Sequence, residues 1–152
     1  MPALYILRHG KAENTSPDIE RNLSNAGMED IKNIAGVFKA KNIIVDKTIY
    51  SNAARAKQTA MIMCEDLNIP SDNKKEDARI YNATVDELQT VISEIDDSLE
   101  SILLVGHNPG FADLVLTLCE EPVHLSAGNV AVVQADSWED IRNSKARLVD
   151  KF

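Results

Sequence analysis

The chain has 152 residues, of which 44% are hydrophobic and 26% are charged. This length suits one domain over residues 1–152, and the composition is that of a globular protein with its own core. The net charge of -8 at pH 7 argues against a surface that binds nucleic acid or anionic membranes.

The predicted elements alternate between strand and helix along the chain. A strand at Ala3–Leu7 is followed by a helix whose apolar face is Met28, Ile31, Ile34, Ala35 and Phe38. A strand at Lys47–Tyr50 precedes a helix with the apolar face Ala56, Ala60, Met63, Cys64 and Leu67. Residues 71–77 (SDNKKED) are predicted to be a solvated loop. The next helix has the apolar face Val85, Leu88, Val91, Ile92 and Ile95.

The helix over residues 85–95 should begin with a capping box, because Thr84 is followed three residues later by Glu87. After a strand at Ser101–Val105, Asn108 is predicted to cap a fourth helix with Pro109 at its first position. The remaining predicted strands are Val130–Gln134 and Ala146–Val149. Several strands are aliphatic on both faces, so the pattern predicts an α/β fold, a three-layer α/β/α sandwich with a mostly parallel central sheet.

Charged and polar residues directly follow three of these strands. Arg8 and His9 end the first strand in LYILRHGKAE, and His107 ends the third in SILLVGHNPG. Arg55 lies at the small-residue helix start after the second strand, in YSNAARAKQT. The carboxyl ends of parallel strands share one edge of a sheet, so these four side chains should meet. Guanidinium groups match phosphate oxygens and helix amino termini add N–H donors, which predicts a site for a tetrahedral oxyanion.

Each of these residues also has an ordinary structural explanation. An arginine at a strand end can lie on the surface, and a histidine there can be a hydrogen-bonded structural residue. Joint placement at three strand ends favours the functional interpretation. The third histidine, His124, has no such context and is interpreted as a structural or surface residue. Its loop is a candidate border of the site.

The blocks LYILRHGKAE, YSNAARAKQT and LLVGHNPGF, in this order, resemble the three signature blocks of the histidine phosphatase superfamily, which has the phosphoglycerate mutase-like fold. The short chain, the segment RIYNATVDEL and the closing residues 131–149 are most similar to its SixA-like phosphohistidine phosphatase branch. The likeness covers nearly the whole chain. It implies a phosphatase.

The resemblance also implies covalent catalysis without a metal or another cofactor. His9 would be the nucleophile that attacks phosphorus in line, and water would then hydrolyse the phosphohistidine enzyme. The attacking nitrogen must be unprotonated, which a backbone carbonyl accepting from the other ring N–H would ensure. The phosphoryl oxygens would be bound by Arg8, Arg55 and His107, with Gly10 and Asn108 as further candidates.

The usual general acid of the family has no match at its place. Phosphomonoesterases and mutases of the family carry a carboxylic acid after a segment of the form Arg-Leu-x-Glu, and the similar stretch here ends in Asn82. An amide cannot give up a proton at useful pH. Asp86 and Glu87 are nearby candidates, although a helix first turn and the capping box also explain them. Glu13 and Asp113 are weaker candidates.

A site without a dedicated acid favours a phosphoramidate substrate. An alkoxide must be protonated as it leaves, whereas the free ring nitrogen of a phosphohistidine can already be protonated near neutral pH. The first hypothesis is therefore a phosphatase for phosphohistidine on a partner protein, such as a histidine phosphotransfer domain. The alternative substrate is a small phosphomonoester or nucleotide. Two further hypotheses are a non-catalytic phosphate-binding module and a metal hydrolase that uses His9 and His107.

The remaining expectations concern the setting of the protein. Neither a signal peptide nor an apolar run of membrane-spanning length is recognisable, so a cytoplasmic protein is expected. Cys64 and Cys119 lie in helical apolar patterns without metal-ligand spacing and are predicted to be buried free thiols. No coiled-coil heptad is present, and a monomer is expected.

Overall fold

The computed structural model describes all residues, 1–152, and confirms the three-layer α/β/α sandwich. Its central sheet has six strands: β1 (Ala3–Arg8), β2 (Lys47–Tyr50), β3 (Lys74–Glu76), β4 (Ser101–Gly106), β5 (Val130–Gln134) and β6 (Arg147–Lys151). Their order across the sheet is β3-β2-β4-β1-β5-β6. The pairs β3–β2, β2–β4 and β4–β1 are parallel, whereas β5 and β6 are antiparallel to their neighbours. The sheet is thus mostly parallel, as predicted, with an antiparallel edge.

Five helices cover the sheet: α1 (Asn25–Ala40), α2 (Ala54–Asp66), α3 (Val85–Ser93), α4 (Gly110–Cys119) and α5 (Trp138–Arg142). Alternate side chains of each central strand enter different cores, because successive residues of a strand point to opposite faces. Tyr5 and Leu7 of β1 pack with α1 and α2, whereas Leu4 and Ile6 pack with α3, α4 and α5. The sheet is therefore buried on both faces, which explains its continuous aliphatic strands.

Several predicted element bounds were right. The observed β2 and β5 match the predicted strands, and the capping box of Thr84 and Glu87 is present at the start of α3. Strands β1 and β4 extend one residue further than predicted, to Arg8 and Gly106. The ladder continues there because Arg8 pairs with Gly106 across the two parallel strands.

The prediction of a loop over residues 71–77 was wrong. Residues Lys74–Glu76 form β3, which pairs in parallel with Thr48–Tyr50 of β2. Its side chains are charged and mostly exposed, as is common on an edge strand that must not pair further. Since the segment has no apolar alternation, its sequence gave no indication of a strand.

Two elements begin later than predicted, and one helix was not predicted. Helix α4 begins at Gly110, one residue later than predicted, although Asn108 Oδ1 still accepts a hydrogen bond of 3.2 Å from the Ala112 N–H. The last strand, β6, covers Arg147–Lys151 rather than Ala146–Val149, and helix α5 was not predicted.

Two of three side chains that were predicted to be buried are accessible to solvent. Met28 is exposed instead of buried. Both cysteines are free thiols, as predicted, but only Cys64 is buried, whereas Cys119 is half-buried. No helix combines the length and apolar character needed to cross a bilayer.

Candidate active site

The two histidines that follow β1 and β4 lie side by side. Arg8 and Gly106 pair in the parallel register of these strands, so His9 and His107 are neighbours just beyond the last pair. The His9 N–H donates to the Gly106 carbonyl at 3.0 Å. Their ring centroids are 5.1 Å apart, and both side chains are buried. The two histidine side chains therefore lie together at one edge of the sheet, as predicted.

The two predicted arginines reach the same edge by different routes. Arg55 lies in the first turn of α2 and is only 6% exposed. Its Nε–H donates to His9 Nε2 at 3.3 Å. Arg8, the last residue of β1, donates from Nη1 to the Leu125 carbonyl at 2.9 Å. This contact ties the end of β1 to the loop before β5.

The proton of the neutral His9 ring has a fixed place. Its Nδ1 lies 2.7 Å from the Gly10 carbonyl oxygen, which can only accept a hydrogen bond. Nδ1 therefore carries the hydrogen, and Nε2 has the lone pair, which accepts from the Arg55 Nε–H. Burial, supported by the nearby Arg55 and Arg8 guanidiniums, lowers the pKa of His9 from 6.5 to about 4. At neutral pH the imidazole is uncharged and nucleophilic at Nε2.

His107 is a second neutral imidazole in the site. Its Nε2 lies 2.8 Å from Ser51 Oγ, while Nδ1 is buried and has no hydrogen-bond partner. Burial, together with His9 and Arg55, lowers its pKa to about 3. Tyr81 packs edge-on against the His107 ring, with centroids 5.5 Å apart.

Asp18 is a site residue that the sequence did not reveal. It begins the short 3-10 turn Asp18–Glu20, and its backbone carbonyl accepts from Arg55 Nη1 at 2.8 Å. Its Oδ2 accepts from Arg55 Nη2 at 3.1 Å and from the Tyr81 hydroxyl at 2.5 Å. Its Oδ1 accepts from Arg21 Nη1 at 3.1 Å. The Tyr81 hydrogen bond, followed by those from Arg21 and Arg55, holds the pKa of Asp18 well below its usual range.

Several polar atoms at this edge of the sheet are buried without a partner. They are Arg8 Nε, Asn52 Oδ1 and His107 Nδ1, which belong to the last residue of β1 and to residues just after β2 and β4. Buried polar groups are normally hydrogen-bonded, and an unpaired one costs free energy. Two of these atoms are nitrogens of residues predicted to bind phosphoryl oxygens. An oxyanion between the strand ends would give them partners.

The other predicted phosphate contacts already have protein partners. The Gly10 N–H donates to Thr59 Oγ1 at 3.1 Å, and Asn108 Nδ2 donates to the Leu125 carbonyl at 2.9 Å. His124 is exposed and lies 3.2 Å from Ser126 Oγ, next to the Leu125 carbonyl that binds Arg8. The loop of His124 thus borders the site, although the imidazole itself faces solvent.

The predicted acid candidates lie in exposed positions. Asp86 and Glu87 are in the first turn of α3, where the Glu87 carboxylate accepts from the Thr84 N–H in the capping box. Glu13 and Asp113 are exposed as well. Asn82 and His107 both line a cavity of about 240 Å³, together with Ala83 and residues 108–110. No group of three or more His, Cys, Asp or Glu side chains is placed to hold a metal ion.

Comparison with known proteins gives consistent matches. The histidine phosphatase superfamily (branch 1) matches residues 4–81. Phosphohistidine phosphatase SixA of Escherichia coli (strain K12) is 25% identical over 137 residues, which cover 88% of this chain and 85% of SixA.

Solved structures extend the likeness over almost the whole chain. A putative SixA from Nakamurella superposes with a TM-score of 0.88 at 22% identity, covering 99% of this chain and 95% of that one. The protein histidine phosphatase SixA complexed with tungstate gives 0.86 at 22% identity, covering 98% and 95%. The fold is therefore the phosphoglycerate mutase-like fold of these structures.

Proposed function

We propose that this chain, which belongs to the histidine phosphatase superfamily, is a phosphohistidine phosphatase that works through a phosphorylated His9. The substrate would be a phosphohistidine side chain of a partner protein. Phosphohistidine is the substrate class named for the E. coli relative. The chemistry of this chain's own site supports the same choice.

The first step is an in-line displacement at phosphorus. The lone pair of His9 Nε2 forms the new P–N bond, while the bond from phosphorus to the substrate ring nitrogen breaks and its electron pair stays on that nitrogen. The Arg55 Nε–H now lies 3.3 Å from Nε2, so this donor must turn toward a phosphoryl oxygen when substrate binds. Water then attacks phosphorus, the P–Nε2 bond breaks, and phosphate is released.

The state of Asp18 is the observation that carries the choice of substrate. It is the carboxyl group that contacts Arg55, and its hydrogen bonds from Arg55, Arg21 and Tyr81 all favour the ionised form. His107 is also unable to supply a proton as an imidazolium, because burial lowers its pKa to about 3. A leaving alkoxide would lack a proton donor here, whereas an imidazole can bring its own proton on the other ring nitrogen.

The unpartnered donors support binding of a tetrahedral oxyanion. Arg8 Nε–H and a protonated His107 Nδ1 are buried without partners at the ends of adjacent strands, and each is a donor that a phosphoryl oxygen would satisfy. The guanidinium of Arg55 adds positive charge beside His9 Nε2. Tungstate, the anion bound in the related SixA structure, is a suitable probe of this arrangement.

The surroundings of the site are open enough for a protein side chain. The cavity of about 240 Å³ beside His107 is bordered by Asn82 and Pro109, which are both exposed. We expect a phosphohistidine side chain on the surface of a partner to reach His107 through this cavity. A histidine phosphotransfer domain is the partner class that we propose to test.

The test compares a phosphorylated histidine phosphotransfer domain with an alkyl phosphate ester, glycerol 3-phosphate, in excess chelator. We expect rapid loss of phosphate from the phosphoprotein, poor turnover of the alkyl ester, whose alkoxide must be protonated as it leaves, and no activity in His9→Ala. His124→Ala is the matched control, since it removes the exposed histidine and should leave turnover unchanged. Efficient cleavage of small esters would instead indicate a metabolite phosphatase with an acid supplied by another residue.

A further inference from the structure

Ser51 follows β2 and is fully buried beside His107. Its N–H donates to the Val105 carbonyl at 3.0 Å, which places Ser51 next to the end of β4, just before His107. Its Oγ accepts from the Ala53 N–H at 3.1 Å and lies 2.8 Å from His107 Nε2. The side chain therefore contacts one ring nitrogen of His107 and leaves the other free.

The hydroxyl proton of Ser51 has one available acceptor. A serine hydroxyl has a single proton and two acceptor lone pairs, and one lone pair is already used by the Ala53 N–H. If His107 Nε2 carried the hydrogen, the hydroxyl oxygen would accept twice and its own proton would be buried without a partner, which costs free energy. If Nε2 is unprotonated, it accepts from the hydroxyl, and both groups are satisfied.

We propose that Ser51 is a positioning residue that fixes the tautomer of His107, so that its Nδ1 carries the hydrogen and donates to a phosphoryl oxygen. The buried Nδ1 atom without a partner is the independent observation that points to a ligand there. The opposite tautomer would present a lone pair to the negative oxygen and repel it. The proposal rests on the proposed function only in taking that oxygen to belong to a phosphoryl group.

The two histidines then use one tautomer in two ways. In His9, Nδ1–H is bound by the Gly10 carbonyl and the Nε2 lone pair is the nucleophile. In His107, the Nε2 lone pair is bound by the Ser51 hydroxyl and Nδ1–H is the donor. Exchanging the tautomer of either ring would remove its function without moving an atom heavier than hydrogen.

The decisive measurement is the nitrogen-15 NMR spectrum of the wild-type imidazoles at neutral pH, with signals assigned from His9→Ala and His124→Ala. We expect the His107 hydrogen on Nδ1. In Ser51→Ala we expect it to redistribute toward Nε2, with tungstate affinity and kcat/KM on the phosphoprotein both reduced about tenfold, less than loss of a whole oxyanion donor. Ser51→Thr keeps the hydroxyl and should restore the tautomer and most of the affinity.

Ser137→Ala is the matched control, because the Ser137 hydroxyl likewise accepts a backbone N–H, from Asp140 at the start of α5. It should change neither the His107 spectrum nor tungstate binding. A wild-type spectrum with the hydrogen on Nε2 overturns the proposal, whether or not Ser51→Ala folds. Wild-type tungstate affinity in folded Ser51→Ala overturns it as well. If Ser51→Ala loses tungstate affinity but the wild type does not hydrolyse phosphohistidine, the tautomer proposal is upheld and the proposed function is refuted.

Discussion

Replacing Asp18 by asparagine separates an electrostatic role from an acid role. The Asp18 carboxylate accepts from Arg55, but its side chain is 50% exposed, whereas that of Arg55 is 7% exposed. A half-exposed ion pair contributes on the order of 1 kcal/mol, or about fivefold in rate. The Asp18 backbone carbonyl would still accept from Arg55 Nη1, so the arginine keeps one of its two supports. We therefore expect kcat/KM to fall by about fivefold. Loss of a general acid would instead lower it by about a hundredfold or more.

The assay measures kcat/KM of Asp18→Asn on the phosphorylated phosphotransfer domain and on an alkyl ester, glycerol 3-phosphate. The loss should be similar for both substrates, because Arg55 would contact the phosphoryl group that they share. Asp97→Asn is the control, since Asp97 also accepts from an arginine, Arg142 Nη2, and is a largely exposed carboxylate. A loss of about a hundredfold or more, confined to the ester, would refute the reasoning and identify Asp18 as an acid.

Other features of the molecule give four further expectations. The pKa of His9 is lowered to about 4, so kcat/KM should persist as pH falls below 6.5 and decline only near pH 4; a decline at 6.5 would contradict the buried neutral ring. Between pH 6.5 and about pH 4, His9 and His107 bind protons in the unfolded chain but not in the folded protein. The free energy of unfolding, measured with urea, should therefore decrease as pH is lowered, and a constant value would contradict this expectation. Asn82→Asp puts a carboxyl group beside the cavity at His107 and should raise alkyl phosphate turnover about tenfold or more, whereas unchanged turnover would show that Asn82 does not face the leaving group. In Gly106→Ala the new Cβ would lie 2.6 Å from the buried Phe111 ring, so urea denaturation should show a loss of about 1–3 kcal/mol, and unchanged stability would mean that the ring can move aside.

The sequence by itself determined the layers of the fold and the centre of the site. Aliphatic runs such as Ser101–Val105 and helical faces such as that of α3 are local patterns, and they predicted most element positions. His9 and His107 were recognisable because each directly follows a strand, and parallel strands end at one edge. These inferences need only periodicity, strand direction and the residue types at strand ends.

Only the tertiary structure decided which groups complete the site. Asp18 is 37 residues from Arg55 and 63 from Tyr81 along the chain, and it lies in a turn without periodic pattern. The contact of Ser51 with His107 spans 56 residues, and it exists because β2 and β4 are adjacent and in register. Strand β3 likewise forms only because β2 offers it a free edge. Local sequence does not encode these partners, because each contact depends on where packing of the whole sheet places a distant segment.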